Sequence, residues 1–242
     1  MVRSRAVFAL ELASASKRYG RRHALAQVDL AVPQGAAVGL LGANGAGKTT
    51  ALRLLLGFAR PTRGAARLRG RDPFDPQSRR GVGWLPERLR LPAAMTLDRF
   101  LRVHAALAGL DGAGLTREIE AVTETTGVRD RLHEPLDGLS KGLAQRAGFA
   151  QALLGKPDVL LLDEPTSGLD PLGVRDARDW TRAARERGAT VLVSSHVLSE
   201  VERICDHIVI LREGRVAASG ALDALVQPGE TLEDAFVRAV RS

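Results

Sequence analysis

Residues 38–41 (VGLL) run directly into GANGAGKTT at 42–50, and this junction constrains the fold more than any other stretch of the chain. Four consecutive apolar residues read as a buried strand. The loop that follows fits the pattern G-x-x-x-x-G-K-[ST], with Gly42, Gly47, Lys48 and Thr49 at the required places. Glycine permits backbone angles closed to other residues, so successive N–H groups of such a loop can converge on phosphate oxygens. Residues 51–56 (ALRLLL) then read as a helix, whose N-terminus carries partial positive charge. In that arrangement Lys48 reaches the β- and γ-phosphates of a nucleotide, and the Thr49 hydroxyl ligates Mg²⁺.

A second apolar run, 159–162 (VLLL), ends in Asp163 and Glu164. It reads as a central strand buried on both faces, with the carboxylates at its carboxyl end, where open α/β sheets bind ligands. Adjacent strand residues face opposite sides, so the two carboxylates are expected to take different roles. Asp163 suits the magnesium shell, and Glu164 the general base that polarises an attacking water. An acidic strand end alone is an ordinary solvated turn; in a chain with a phosphate loop it points to nucleotide hydrolysis.

The 242 residues suit one substantial domain, or a core plus a subdomain. With 45% hydrophobic residues and only 4% aromatic, the core is expected to be built of Leu, Val and Ala. No apolar run approaches the length of a membrane span, and residues 1–10 lack a small-residue cleavage site, which predicts no secretory signal. The single cysteine, Cys205, excludes an internal disulfide and reads as a buried structural thiol. The 5 histidines show no metal-ligand spacing. The net charge of +7 is uneven: residues 1–90 hold 17 Lys and Arg against 5 Asp and Glu, a net +12, which leaves −5 for the remainder. Of the 35 basic residues 31 are Arg, scattered without aromatic interleaving, so the excess reads as compositional bias rather than a nucleic-acid surface.

The remaining pattern fills in the architecture. Residues 7–32 alternate as two antiparallel strands joined by the GRRH turn at 20–23, and 64–70 reads as a third strand of that layer. Thr96 caps a helix over 96–110, with Leu97, Phe100, Leu101, His104, Leu107 and Ala108 at helical spacing, and 115–126 gives another helix. Ser140 is placed to N-cap a helix running through 143–154. After Asp170, helix (171–187), strand (190–194), helix (197–204) and strand (208–211) alternate, which predicts a mostly parallel sheet. Thr231 opens a final amphipathic helix with Leu232, Ala235, Phe236, Ala239 and Val240 on one face.

Five motifs in order now resemble the nucleotide-binding subunit of ATP-binding-cassette (ABC) transporters along most of the chain. They are KRYG with Tyr19, the phosphate loop, LSKGLAQR at 139–146, DEPTSGLDP at 163–171, and VLVSSHVLSE with His196. The resemblance implies the family's P-loop NTPase fold: a RecA-like parallel-sheet core, an antiparallel β subdomain and an inserted helical subdomain carrying the signature. The whole chain would form a single ABC ATPase domain, the core and β subdomain from residues 1–90 and 155–242 and the helical subdomain from about 91–154. It further implies that two subunits pack head to tail and bury two ATP molecules. Tyr19 would stack on adenine, and Gly42, Ala43, Asn44, Gly45, Ala46, Gly47, Lys48, Thr49 and Thr50 would surround the phosphates. Ser140 and Gly142 would bind the γ-phosphate held by the other subunit, and Asp170 would couple the two sites. Lys48, Glu164 and His196 form the implied catalytic set, with His196 sensing the γ-phosphate. Thr49, Asp163 and Glu87 are the implied Mg²⁺ contacts.

The sequence departs from the family pattern in places. Lys141 stands where the signature usually has glycine, and Leu143 where it has glutamine. A lysine there either strengthens phosphate binding or faces solvent; the sequence leaves both open. Glu87, in GVGWLPERLRLP, replaces the glutamine of a magnesium-contacting loop, and adds negative charge near phosphates at an electrostatic cost.

The function implied is ATP hydrolysis that drives a separate integral-membrane permease, from a peripheral position on the cytoplasmic face of the cell membrane. The partner cassette would be a second copy or a related ATPase, with no nucleic acid expected. The LSKG signature, the PE-containing loop and the LEDAF tail favour export over import. The alternative is a soluble ABC-type ATPase acting on nucleic acid or the ribosome. The single cassette, and the lack of sustained heptads between the phosphate loop and the signature, weigh against it. A non-hydrolysing nucleotide sensor is disfavoured by the presence together of Lys48, Asp163, Glu164 and His196.

Overall fold

In the computed structural model, which describes residues 8–241, the alternating N-terminal stretch forms a hairpin of β1 (Phe8–Tyr19) and β2 (Arg22–Pro33). The expected first strand residue, Val7, lies outside the described residues. Leu10, Leu12, Leu30 and Val32 point into the core, while two bulges pass through Ser14 and Gln27 at φ 44° and 53°. Next come β3 (Ala37–Leu41), α1 (Lys48–Leu55) and β4 (Arg63–Leu68), and β4 pairs antiparallel with β1 to complete a sheet in the order β2-β1-β4. The chain continues with β5 (Val82–Leu85), α2 (Leu97–Leu107), α3 (Gly112–Thr126), α4 (Lys141–Leu153), β6 (Val159–Asp163) and α5 (Pro171–Glu186). It ends with β7 (Thr190–Ser195), α6 (Leu198–Ile204), β8 (His207–Arg212), β9 (Arg215–Ala221), α7 (Leu222–Leu225) and α8 (Leu232–Arg241).

These elements fall into two compact units, one running to Arg80 and resuming at Thr190, the other Gly81–Ala189. In the first, β3 lies between β7 and β8 in parallel register, Gly39 facing Val193 on one side and Ile208 on the other. All five residues of β3 and all six of β7 are buried, as expected for parallel strands covered on both faces. The edge strand β9 runs antiparallel to β8 through a two-residue turn. Both turn residues, Glu213 (φ 49°) and Gly214 (φ 76°), are left-handed, which suits a tight hairpin between right-twisted strands. Nothing in RVAASGA announces a strand, and the sequence reading missed it.

The second unit pairs β5 with β6 in parallel and packs α4 on β5, with α2, α3 and α5 gathered against α4. Thr96 accepts a hydrogen bond from the Arg99 N–H at the start of α2, as the cap pattern predicts. Leu97, Phe100, Leu101 and Ala105 of that helix are buried, and His104 sits half-buried with its ring 4.5 Å from Phe100. The apolar face is one turn shorter than the periodicity predicts: Leu107 is 79% exposed and Ala108 is exposed, because the helix ends there. Phe149 of α4 is fully buried, edge-on to Trp180 of α5 at 5.1 Å, and Arg146 bridges to Asp176 at 2.6 Å. Burial of a side chain of that size contributes roughly 1.5–3 kcal/mol, so this contact is a principal tie between the two helices. No helix among the described residues is long and apolar enough to cross a membrane.

Candidate functional site

The phosphate loop lies wholly in the first unit. β3 delivers Gly42 to its end, and α1 starts at Lys48, three residues earlier than the apolar run suggested. Gly47 occupies the N-cap position at φ 111°, and a Cβ there would stand 2.7 Å from the Ala24 carbonyl oxygen. Only glycine fits such a position. The loop turns on an Ala46 N–H donation to Ala43 O and is tied to the β8–β9 hairpin by Gly214 N–H donating to Ala46 O at 3.0 Å. No side chain caps α1 and no acidic residue stands in its first turn, so the partial positive charge of the helix end is not offset locally. Lys48 is buried and curls over the loop, its Nζ donating to Gly42 O at 2.6 Å. Ala43, Asn44 and Gly45 are exposed, Ala46 is buried, and Thr49 and Thr50 are half-buried on the first turn of α1. A cradle in which a Cβ would collide, closed by an ammonium and ending at a helix N-terminus, fits a polyphosphate.

Two further residues of the first unit belong to the same reading. Tyr19, 44% exposed, closes β1 with the Lys17 ammonium 4.9 Å from its ring centroid. His196 is exposed, immediately after β7, where Ser195 Oγ accepts a hydrogen bond from the Val197 N–H and bends the chain into α6.

The acidic residues lie in the second unit. Asp163 is the last residue of β6 and is 1% exposed. Glu164, 7% exposed, is already off the strand with φ 50°. The expectation that two strand residues simply alternate is therefore corrected: a left-handed backbone turn, not strand pleating, separates the two carboxylates. That conformation costs a non-glycine residue roughly 1–2 kcal/mol, and such strain concentrates at functional sites. The turn then closes by Ser167 N–H donating to Glu164 O at 3.0 Å. Asp170 caps α5, its Oδ1 accepting from Gly173 N–H at 2.7 Å, with Pro171 at the first helical position. Ser140 caps α4 by accepting from Leu143 N–H at 3.3 Å, and its side chain and Gly142 stand at the opening turn of that helix. Glu87 is exposed, two residues beyond β5.

A family model described as ABC transporter matches residues 25–167, which take in the phosphate loop, the signature helix and the acidic turn. The chain belongs to the ABC transporter family. The ABC ATP-binding protein YxlF of Bacillus subtilis is 39% identical over 92% of this chain and 74% of its own length. The Nod factor export ATP-binding protein I of Cupriavidus pinatubonensis is 36% identical over 87% of this chain and 66% of its own. A solved structure of the ATP-binding subunit of an ABC transporter, 33% identical, superposes with a TM-score of 0.89 over 96% of this chain and 99% of that one. The protein is thus an ATP-hydrolysing cassette and the ATP-binding subunit of an ABC transporter.

Within this cassette the structure locates the departures from the family pattern. Leu143 is half-buried and gives its N–H to the Ser140 cap. Lys141 is exposed, yet its chain lies along Gly168 of the acidic turn in the same subunit. Gln145, which the sequence reading passed over as a helix residue, is buried and reaches that turn as well, and no local sequence signal marks it.

Proposed function

We propose that the chain hydrolyses Mg-ATP to power a separate membrane permease, as an exporter subunit working in a pair of cassettes at the cytoplasmic face of the membrane. The observation that carries the hydrolytic part is Glu164, a buried carboxylate held in left-handed backbone directly after the buried Asp163. Strain of that kind persists where the surrounding structure over-determines it. Lys48 and the loop N–H groups hold the triphosphate, Glu164 takes a proton from the attacking water, and His196 senses the γ-phosphate. Mg²⁺ keeps several waters beside the phosphates, and the family resemblance assigns its protein contacts to the Thr49 hydroxyl and the Asp163 carboxylate, which would hold it, with Glu87 as a further implied contact. When bound, the ion neutralises charge on the phosphate oxygens. Tyr19, an exposed residue, offers its ring for adenine. Ser140 and Gly142 at the start of α4 serve the γ-phosphate of the partner cassette, and Asp170 couples the paired sites.

The export direction is supported by the LSKG signature and by the relative whose name records Nod factor export. Two measurements test the proposal. Glu164→Gln is expected to lower kcat by at least about 100-fold while ATP still binds; equal turnover in variant and wild type sinks the base assignment. The tagged chain, extracted from its native membranes in mild detergent, is expected to bring down a stoichiometric polytopic membrane protein. Recovery with soluble partners alone favours the nucleic-acid or ribosome alternative.

A further inference from the structure

Glu164 keeps a backbone conformation that its own side chain disfavours, so contacts outside the residue must hold it there. Two side chains from the first turns of α4 reach the turn that follows it. Gln145 is 4% exposed, and its Nε2 donates to the Pro165 carbonyl oxygen at 2.7 Å. That oxygen belongs to the residue immediately after Glu164, so the bond fixes the central peptide plane of the turn. One helical turn earlier, Lys141 lies against Gly168, where a Cβ would stand 2.6 Å from Lys141 Cδ and 2.7 Å from its Nζ. Residues 141 and 145 are four apart, which places both on one face of α4. Gly168 has φ 80°, so glycine both permits the turn and leaves room for the lysine chain.

The turn's own bonds account for its shape but not for its anchorage. Ser167 N–H donates to Glu164 O, Leu169 N–H donates to Thr166 O at 3.2 Å, and Asp170 secures the far end as the cap of α5. The near end is secured from α4. A buried carboxamide in that position is tolerated only when satisfied, and no buried side-chain nitrogen or oxygen among the described residues lacks a partner.

We infer that Gln145 and Lys141 are positioning residues for Glu164: by holding the Pro165 carbonyl and Gly168 they set the turn that aims the water-polarising carboxylate. This rests on the reading of Glu164 as the general base. Neither side chain touches the reacting atoms. The helix whose opening Ser140 and Gly142 serve the partner's γ-phosphate therefore also sets the base of its own subunit. Lys141, where the family usually has glycine, supplies a second hold that a glycine could not.

The test is steady-state ATP turnover by the full chain. Gln145→Met keeps length and volume but removes the donor, so it is expected to lower kcat about tenfold with KM within about twofold. On a Glu164→Gln background the same change is expected to cause no further loss, because residues acting through one group are not additive. An unchanged kcat in Gln145→Met, or a loss of full size repeated on the Glu164→Gln background, overturns the inference. Lys141→Ala alters an exposed residue and so carries the test even if Gln145→Met does not fold. It is expected to lower kcat about threefold with KM unchanged, and a rise in KM alone, or no change in either constant, overturns its role. Failure of the base reading is seen separately, as wild-type turnover in the Glu164→Gln single variant.

Discussion

Replacing Glu164 by glycine and, in a second variant, by alanine isolates the cost of its left-handed backbone. Both changes remove the same carboxylate and the same buried side chain, so those losses cancel in the comparison. What remains is the backbone at φ 50°, which alanine must still strain to adopt and glycine adopts freely. Relief of that strain favours glycine by roughly 1–2 kcal/mol. Glycine's greater freedom in the unfolded chain opposes it by about 0.5–1 kcal/mol. The net lies between roughly 0 and 1.5 kcal/mol in favour of Glu164→Gly, with a midpoint of about 0.75 kcal/mol or roughly 2–3 °C in Tm for a chain of this size. The assay is thermal and urea unfolding of the two purified variants without nucleotide. Because the chain has two compact units, the same resolved transition is compared in both. At an ordinary helix or strand position alanine is the more stable of the two, so the expected order is inverted. An alanine variant as stable as the glycine variant, or more so, would refute the strain argument and with it the reason offered for holding the turn from α4.

Two further outcomes are expected from the second unit. Phe149→Ala removes a fully buried ring that meets Trp180 edge-on, and is expected to cost about 3–5 kcal/mol in urea unfolding; a loss below about 1 kcal/mol would show that α4 and α5 do not rely on this contact. His104, beside Phe100 on α2, has its pKa pushed below the usual 6.5 by burial. Below 6.5 the unfolded chain therefore binds more protons at this site than the folded one. Its stabilisation is present above 6.5 and is lost as pH falls through the lower folded value. His104→Gln is accordingly expected to flatten the fall in urea midpoint between neutral and mildly acidic pH, and an unchanged slope would count against burial as the cause.

Much of the site was legible because its signals are local. The run at 38–41 announces a buried strand through its composition, and glycine at 42 and 47 announces a loop through backbone freedom. Thr96 and Ser140 announce helix starts because a cap needs only a side-chain oxygen and an N–H three residues on, whereas the same role of Asp170 at α5 was seen only in the structure. The stripe on α2 was legible as a period but not in length: periodicity records which residues share a face, whereas exposure at Leu107 depends on where the helix ends. The strand β9 was not legible at all, since RVAASGA is drawn into the sheet by pairing with β8 rather than by its own propensity.

The sequence by itself determined the order of strand, phosphate loop, signature helix, acidic turn and histidine, together with the α/β class they impose, because each is written in neighbouring residues. Only the tertiary structure decided the conformation of Glu164 and what holds it. Preceding Pro165, that residue would be expected to run extended, yet it turns left-handed, with Gln145 bonded to the next carbonyl from a helix twenty positions earlier in the chain. A contact over that separation leaves no trace in local pattern. It exists because packing brings the first turns of α4 against the turn that follows β6, and the energy of the packed arrangement outweighs the local preference of one residue.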